Sequence, residues 1–173
     1  FVQDNVDVAV GIATPSVQSL KNATSKIPIV MGAVTDPEGA GIISNNNKPG
    51  KNITGVSDQA PLEAQLNLMK QVIPNLKTIG IIYTSSDASA TSQMKKMQKL
   101  AKKKGFNVKV SSINSVNDIQ QVGTALAESV QTIYVPTDNT VASGMKLLSS
   151  IATKQNIAVF PAATTMVKDG GLA

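Results

Sequence analysis

Thr78-Ile79-Gly80-Ile81-Ile82-Tyr83, running directly into Thr84-Ser85-Ser86-Asp87, is the stretch on which the fold of this chain turns. A short β-branched run has the composition of a strand, and the small polar residues behind it stop that strand and open a helix-like segment. The same event occurs four more times. Val6 to Ile12 ends in Ala13-Thr14-Pro15, and Ile27 to Val34 ends in Thr35-Asp36-Pro37. Thr132 to Pro136 ends in Thr137-Asp138-Asn139, and Ala158 to Pro161 ends in Ala162-Ala163-Thr164-Thr165. Strands that alternate with helical patterns argue for βα units and a parallel sheet. In open parallel sheets small molecules bind beyond the carboxyl ends of the strands, and that is where these polar residues collect.

Working outward, Pro15 suits the first turn of a helix near 16–24. Strand 28–33 leads into a segment too rich in glycine for a long helix, then a polar loop closed by Pro49-Gly50, then a strand at 52–57. Leu62, Leu66, Met69, Val72 and Ile73 recur at helical spacing, and Pro74 ends that helix. Strand 78–84, helix 89–104 closed by Gly105, strand 107–113 and a helix over 116–129 capped by Ser115 follow. Strand 132–136, helix 140–154, strand 157–161 and a turn at Asp169-Gly170-Gly171 complete the pattern. Residues 58–173 thus make a nearly complete doubly wound unit, whereas 1–57 holds only the later strands of one. The expectation is an α/β protein of two doubly wound parallel-sheet lobes, the amino-terminal one truncated. Phe1 to Asn5 has the look of the last turn of a helix, which fits a piece of a longer chain.

Composition narrows the chemistry. With 42% hydrophobic and 16% charged residues the chain can bury a core. It has no cysteine and no histidine, which removes thiolate chemistry, zinc sites and the usual nucleophilic triads. No Gly-x-Gly-x-x-Gly follows a strand, no phosphate-cradling Gly-Lys-Ser/Thr occurs, and no spacing brings two carboxylates together. Neither an enzyme nor a resident cofactor is expected. The net charge of +5 is concentrated around Lys95, Lys96, Lys99 and Lys102 to Lys104. Without interleaved aromatics this reads as a solvated helix face rather than a nucleic-acid patch. Tyr83 and Tyr134 lie inside strands and read as core.

Four blocks carry a family resemblance. Ile27-Pro28-Ile29-Val30 with Thr35-Asp36-Pro37-Glu38-Gly39-Ala40-Gly41, and Pro49-Gly50-Lys51-Asn52-Ile53-Thr54-Gly55-Val56-Ser57, come first. Ile73 to Tyr83 and Ile133-Tyr134-Val135-Pro136-Thr137-Asp138-Asn139 follow in order. Together they closely resemble the substrate-binding proteins of bacterial ABC importers, in the branch associated with tryptophan, tyrosine and other amino acids. The resemblance implies a type I periplasmic-binding-protein fold whose two lobes are joined by hinge strands and close over a small-molecule ligand. It implies an amino acid, aromatic for preference, a membrane permease as partner, and no nucleic acid. It also implies an extracytoplasmic place, periplasmic or lipid-anchored to the outer face of the cell membrane. Effector-sensing domains of lac-repressor-type regulators share that fold and form the alternative.

The strand-end rule places Thr14, Thr35, Asp36, Ser85, Ser89, Asp138 and Asn139 around the ligand. An amino acid's carboxylate calls for hydroxyls and helix N-termini, and its ammonium for a carboxylate. Thr14 is a helix cap or an anion contact, and Ser85, Ser86 and Ser89 stand before the next helix with the same two readings. Asp36 precedes a turn proline, which is a structural role as well as a candidate ammonium partner. Asp138 is the stronger ammonium candidate, and Thr164 and Thr165 are weaker ones.

Overall fold

The computed structural model describes residues 1–172, and these divide into two compact units. The first comprises Phe1–Gln59 with Asp87–Ser92; the second comprises Ala60–Ser86 and the chain from Gln93 onward.

In the first unit, strands β1 (Ala9–Ile12), β2 (Ile29–Gly32) and β3 (Ile53–Gly55) form a parallel sheet in that order, with helix α1 (Thr14–Ala23) between β1 and β2. Ala9 lies beside Ile29, and Ile29 beside Ile53. Because side chains alternate along a strand, Ala9, Ile29, Met31 and Ile53 share a face. They pack there against Val17 and Leu20 of α1 and against Val34, Ile42 and Ile43 from the connection to β3. On the other face Val10, Ile12 and Val56 are 65%, 69% and 71% exposed among the described residues. Gly55 is required by its backbone. Its φ is 151°, and an added Cβ would stand 1.9 Å from the Met31 carbonyl oxygen, which the Val56 N–H bonds at 3.0 Å.

The second unit is a parallel sheet with helices packed on both faces. Its elements are α2 (Leu62–Val72), β4 (Thr78–Thr84), α3 (Ala88–Lys103, the first turn of which groups with the first unit) and β5 (Asn107–Ile113). A 3₁₀ turn (Val116–Asp118), α4 (Ile119–Ala127), β6 (Thr132–Val135), α5 (Asn139–Ser143), α6 (Met145–Lys154), β7 (Ala158–Pro161) and α7 (Thr164–Val167) complete it. All strand pairs are parallel, in the order β5-β4-β6-β7. Ile79, Ile81, Tyr134 and Phe160 face α2 and α3. Ile82, Ile133, Val135 and Val159 face α4 and α6. Burial of both sheet faces is why these strands read as continuous apolar runs rather than as alternating ones. Tyr134 is fully buried, as expected of a core residue; burial pushes its phenol well above the usual range, and its hydroxyl donates to Gln65 Oε1 at 3.2 Å.

Three elements differ from the sequence expectation. The first strand begins at Ala9 rather than at residue 6. The 116–129 helix opens as a 3₁₀ turn, because the Asp118 carboxylate collects the N–H groups of Asn114 and Ser115 at 2.8 and 3.0 Å. The 140–154 helix is two helices broken at Gly144, where an added Cβ would lie 2.4 Å from Ile119 Cδ1. Among the described residues no helix is long and apolar enough to cross a membrane.

Candidate functional site

The first unit gathers the polar side chains of Thr14, Asp36 and Ser89, all buried, and the half-buried Ser92 into one cluster. Ala13, at φ 65°, turns the chain out of β1, so Thr14 is the first residue of α1 rather than its cap. Among the described residues no side chain caps this helix end. The Thr14 hydroxyl instead lies 2.6 Å from the hydroxyl of Ser89, in the first turn of α3, and both residues are buried. Ser89 Oγ also accepts the Asp36 N–H at 3.3 Å. Asp36, 1% exposed, accepts the Gly39 N–H on Oδ1 at 3.0 Å and the Ser92 hydroxyl on Oδ2. Thr35 is buried beside it, and its carbonyl accepts the Ser57 hydroxyl at 2.9 Å. Two hydroxyls joined by one hydrogen bond use one of their two protons between them. The other proton is left to donate, at the start of a helix whose dipole favours an anion. Gly39 is tight against this cluster, since a Cβ there would lie 2.2 Å from both Asp36 Oδ2 and Ser92 Oγ.

In the second unit the ends of β4 and β6 are tied by one carboxylate. Asp138 caps α5, its Oδ1 accepting the N–H groups of Thr140 and Val141 at 3.0 Å each. Oδ1 also accepts the Thr84 hydroxyl at 2.9 Å, and Oδ2 accepts the Thr84 N–H at 2.6 Å. Oδ1 is thereby fully engaged, and Oδ2 keeps one acceptor position. Asn139 next to it is exposed. Ser85 is exposed as well, and its hydroxyl donates to Asn114 Oδ1 at 2.7 Å. At the start of α3 the Asp87 Oδ1 accepts the Ala90 N–H at 2.9 Å. Thr164 and Thr165 are exposed in the first turn of α7.

The structure therefore brings Thr14, Asp36 and Ser89 together within one unit, with Thr35 buried as the chain neighbour of Asp36. Asp138 stands beside Asn139 in the other, and Ser85 is bonded to the end of β5. Sequence reasoning missed Ser92 and Gln93. Gln93 is fully buried; its Oε1 accepts the Thr137 N–H at 2.6 Å, while its Nε2 has no hydrogen-bond partner among the described residues. A signal was present, because Ser89, Ser92 and Gln93 stand at i, i+3 and i+4 and share one helix face. Thr84 reads in the sequence only as a strand terminator, yet it anchors Asp138 through two hydrogen bonds.

Comparison with known proteins covers the whole chain. The family model described as ABC transporter substrate binding protein matches residues 1–173. A tyrosine-binding protein of Clostridioides difficile (strain R20291) is 36% identical over 173 residues, which are 100% of this chain and 50% of that protein. A conserved domain protein from Vibrio cholerae superposes with a TM-score of 0.95 at 42% identity, over 99% of this chain and 58% of the other. A domain solved with L-Trp, from Streptococcus pneumonia, gives a TM-score of 0.94 at 41% identity with the same coverage, 99% and 58%. The chain spans about half the length of the curated relative it matches.

Proposed function

Given that this chain belongs to the ABC transporter substrate-binding protein family, we propose that it serves as the extracytoplasmic capture component of a bacterial importer. Its cargo in this reading is an amino acid, aromatic for preference, handed on to a membrane permease. The observation that carries the reading is the buried Thr14–Ser89 hydroxyl pair at the uncapped start of α1, with the Asp36 carboxylate beside it. The leftover hydroxyl proton and the helix N-terminus suit the cargo's carboxylate. Asp36, and the free acceptor position on Asp138 Oδ2, suit an ammonium. Thr35, Ser85 and Asn139 complete the proposed set of ligand contacts. A tyrosine-binding relative and an L-Trp complex among the solved structures support the aromatic preference.

The test is a thermal-shift screen of the protein against the twenty amino acids, common sugars and nucleobases, with titration calorimetry on each hit. A cargo present at ~100 times its dissociation constant adds about 2.7 kcal/mol of stability. Stabilisation by one or a few amino acids, L-Trp and L-Tyr first, is the expected result. Stabilisation by sugars or nucleobases alone overturns the amino-acid reading. Replacing Thr14 by Val and Ser89 by Ala together removes both hydroxyls, and affinity is expected to fall by at least about tenfold, the effect of ~1.4 kcal/mol.

A further inference from the structure

The net positive charge of this chain comes from one segment. Residues 88–117 contain seven lysines and no aspartate or glutamate, whereas the remaining nine lysines are outnumbered by all eleven acidic residues. The segment therefore carries +7, and everything else sums to −2. Five of the seven lysines share one side of α3. Lys95, Lys99 and Lys102 follow one another at i, i+4 and i+7, with Lys96 and Lys103 one position further round. At 100° per residue they fit an arc of about 120°. All five are exposed, while Met94, Met97 and Ala101 on the opposite side are buried in the core. Lys104 lies off the arc and pairs with Glu63 of α2 at 2.8 Å. Lys95, Lys99 and Lys102 form no ion pair among the described residues.

Like charges one turn apart repel and weaken a helix, and a face selected only for solubility mixes both signs. A single-sign array of this kind has an anionic counterpart. Three features say which. The face runs along the outside of a 16-residue helix, about 24 Å long, with its lysines all exposed, which suits an extended surface rather than a groove. It holds no aromatic side chain on which a base would stack, and the chain has no arginine for bidentate phosphate or guanine recognition. Lysines are flexible point charges that gain from a diffuse field of headgroups. We propose that the lysine face of α3 is a docking surface for anionic phospholipid, by which the protein lies peripherally on the membrane its transporter occupies. The proposal rests on the importer reading only for the place of that membrane, and not on the cargo.

The experiment is co-sedimentation of the protein with phosphatidylcholine vesicles, with and without phosphatidylglycerol. Partition into the phosphatidylglycerol vesicles alone, lost as salt rises from about 50 to 500 mM, is the expected result. The combined variant K95Q/K99Q/K102Q/K103Q should partition at least about tenfold less, with an unchanged circular dichroism spectrum and unchanged solute binding. A charge-matched control, K26Q/K48Q/K154Q/K168Q, should partition as the parent does. Absence of binding to phosphatidylglycerol vesicles overturns the proposal. So does an equal loss in the control, which would make net charge rather than this face responsible. Tighter binding of duplex DNA than of vesicles at the same salt also overturns it, in favour of a nucleic-acid surface.

Discussion

Asp138 shows how one side chain can be a binding candidate by position and a structural tie by geometry. Its carboxylate holds the Thr84 N–H and hydroxyl at the end of β4 and the first N–H groups of α5. Loss of a helix cap costs about 1 kcal/mol, and each buried donor left unpaired costs about 1–3 kcal/mol more. Asp138→Ala is therefore expected to destabilise the ligand-free protein by at least about 2 kcal/mol in urea denaturation. Loss of solute binding in that variant alone would not assign an ammonium contact. Thr14→Val provides the contrast. It removes one hydroxyl of a pair and no backbone partner, so affinity should fall while the urea midpoint moves little; an equal fall in both would make the pair structural. Thr14, Asp36, Ser89 and Asp138 were visible in the sequence because strand-end chemistry is local. Their partners were not, since Thr14 and Ser89 are 75 residues apart and Asp36 and Ser92 are 56 apart, and no local pattern encodes such a pairing.

At the level of elements, what was legible is what short-range physics decides. Strands 78–84 and 107–113 stand where the apolar runs put them, and Gly105, at φ 88°, follows α3 as a C-terminal glycine does. The break between α5 and α6 was not legible, because the demand on Gly144 comes from Val116 and Ile119 in a different element. Gly144→Ala should thus cost about 1–3 kcal/mol, against a gain for an unconstrained helical site; a rise in melting temperature would refute the packing argument. The helix termini also set an acid limit. Asp118 is held below its ordinary pKa first by the N–H groups of Asn114 and Ser115, and Glu63 is lowered by the hydrogen bond and charge of Lys104. A carboxyl lowered in the folded state stabilises it above the unfolded pKa, and that contribution disappears as pH falls through the folded value. Melting temperature should drop between about pH 5 and pH 2, and Asp118→Asn should flatten part of the drop.

Across the whole molecule, protection follows covering. The sheet of the second unit is covered on both faces, and local opening follows covering. Amide hydrogen exchange should therefore be slower in β4 and β6, whose residues are almost all buried, than in the edge strand β5, most of whose residues reach the surface; the reverse order would contradict the core assignments. The double cover also decides what survives digestion, since a protease cuts backbone that has opened: brief proteolysis should leave β4 and β6 together in one resistant fragment.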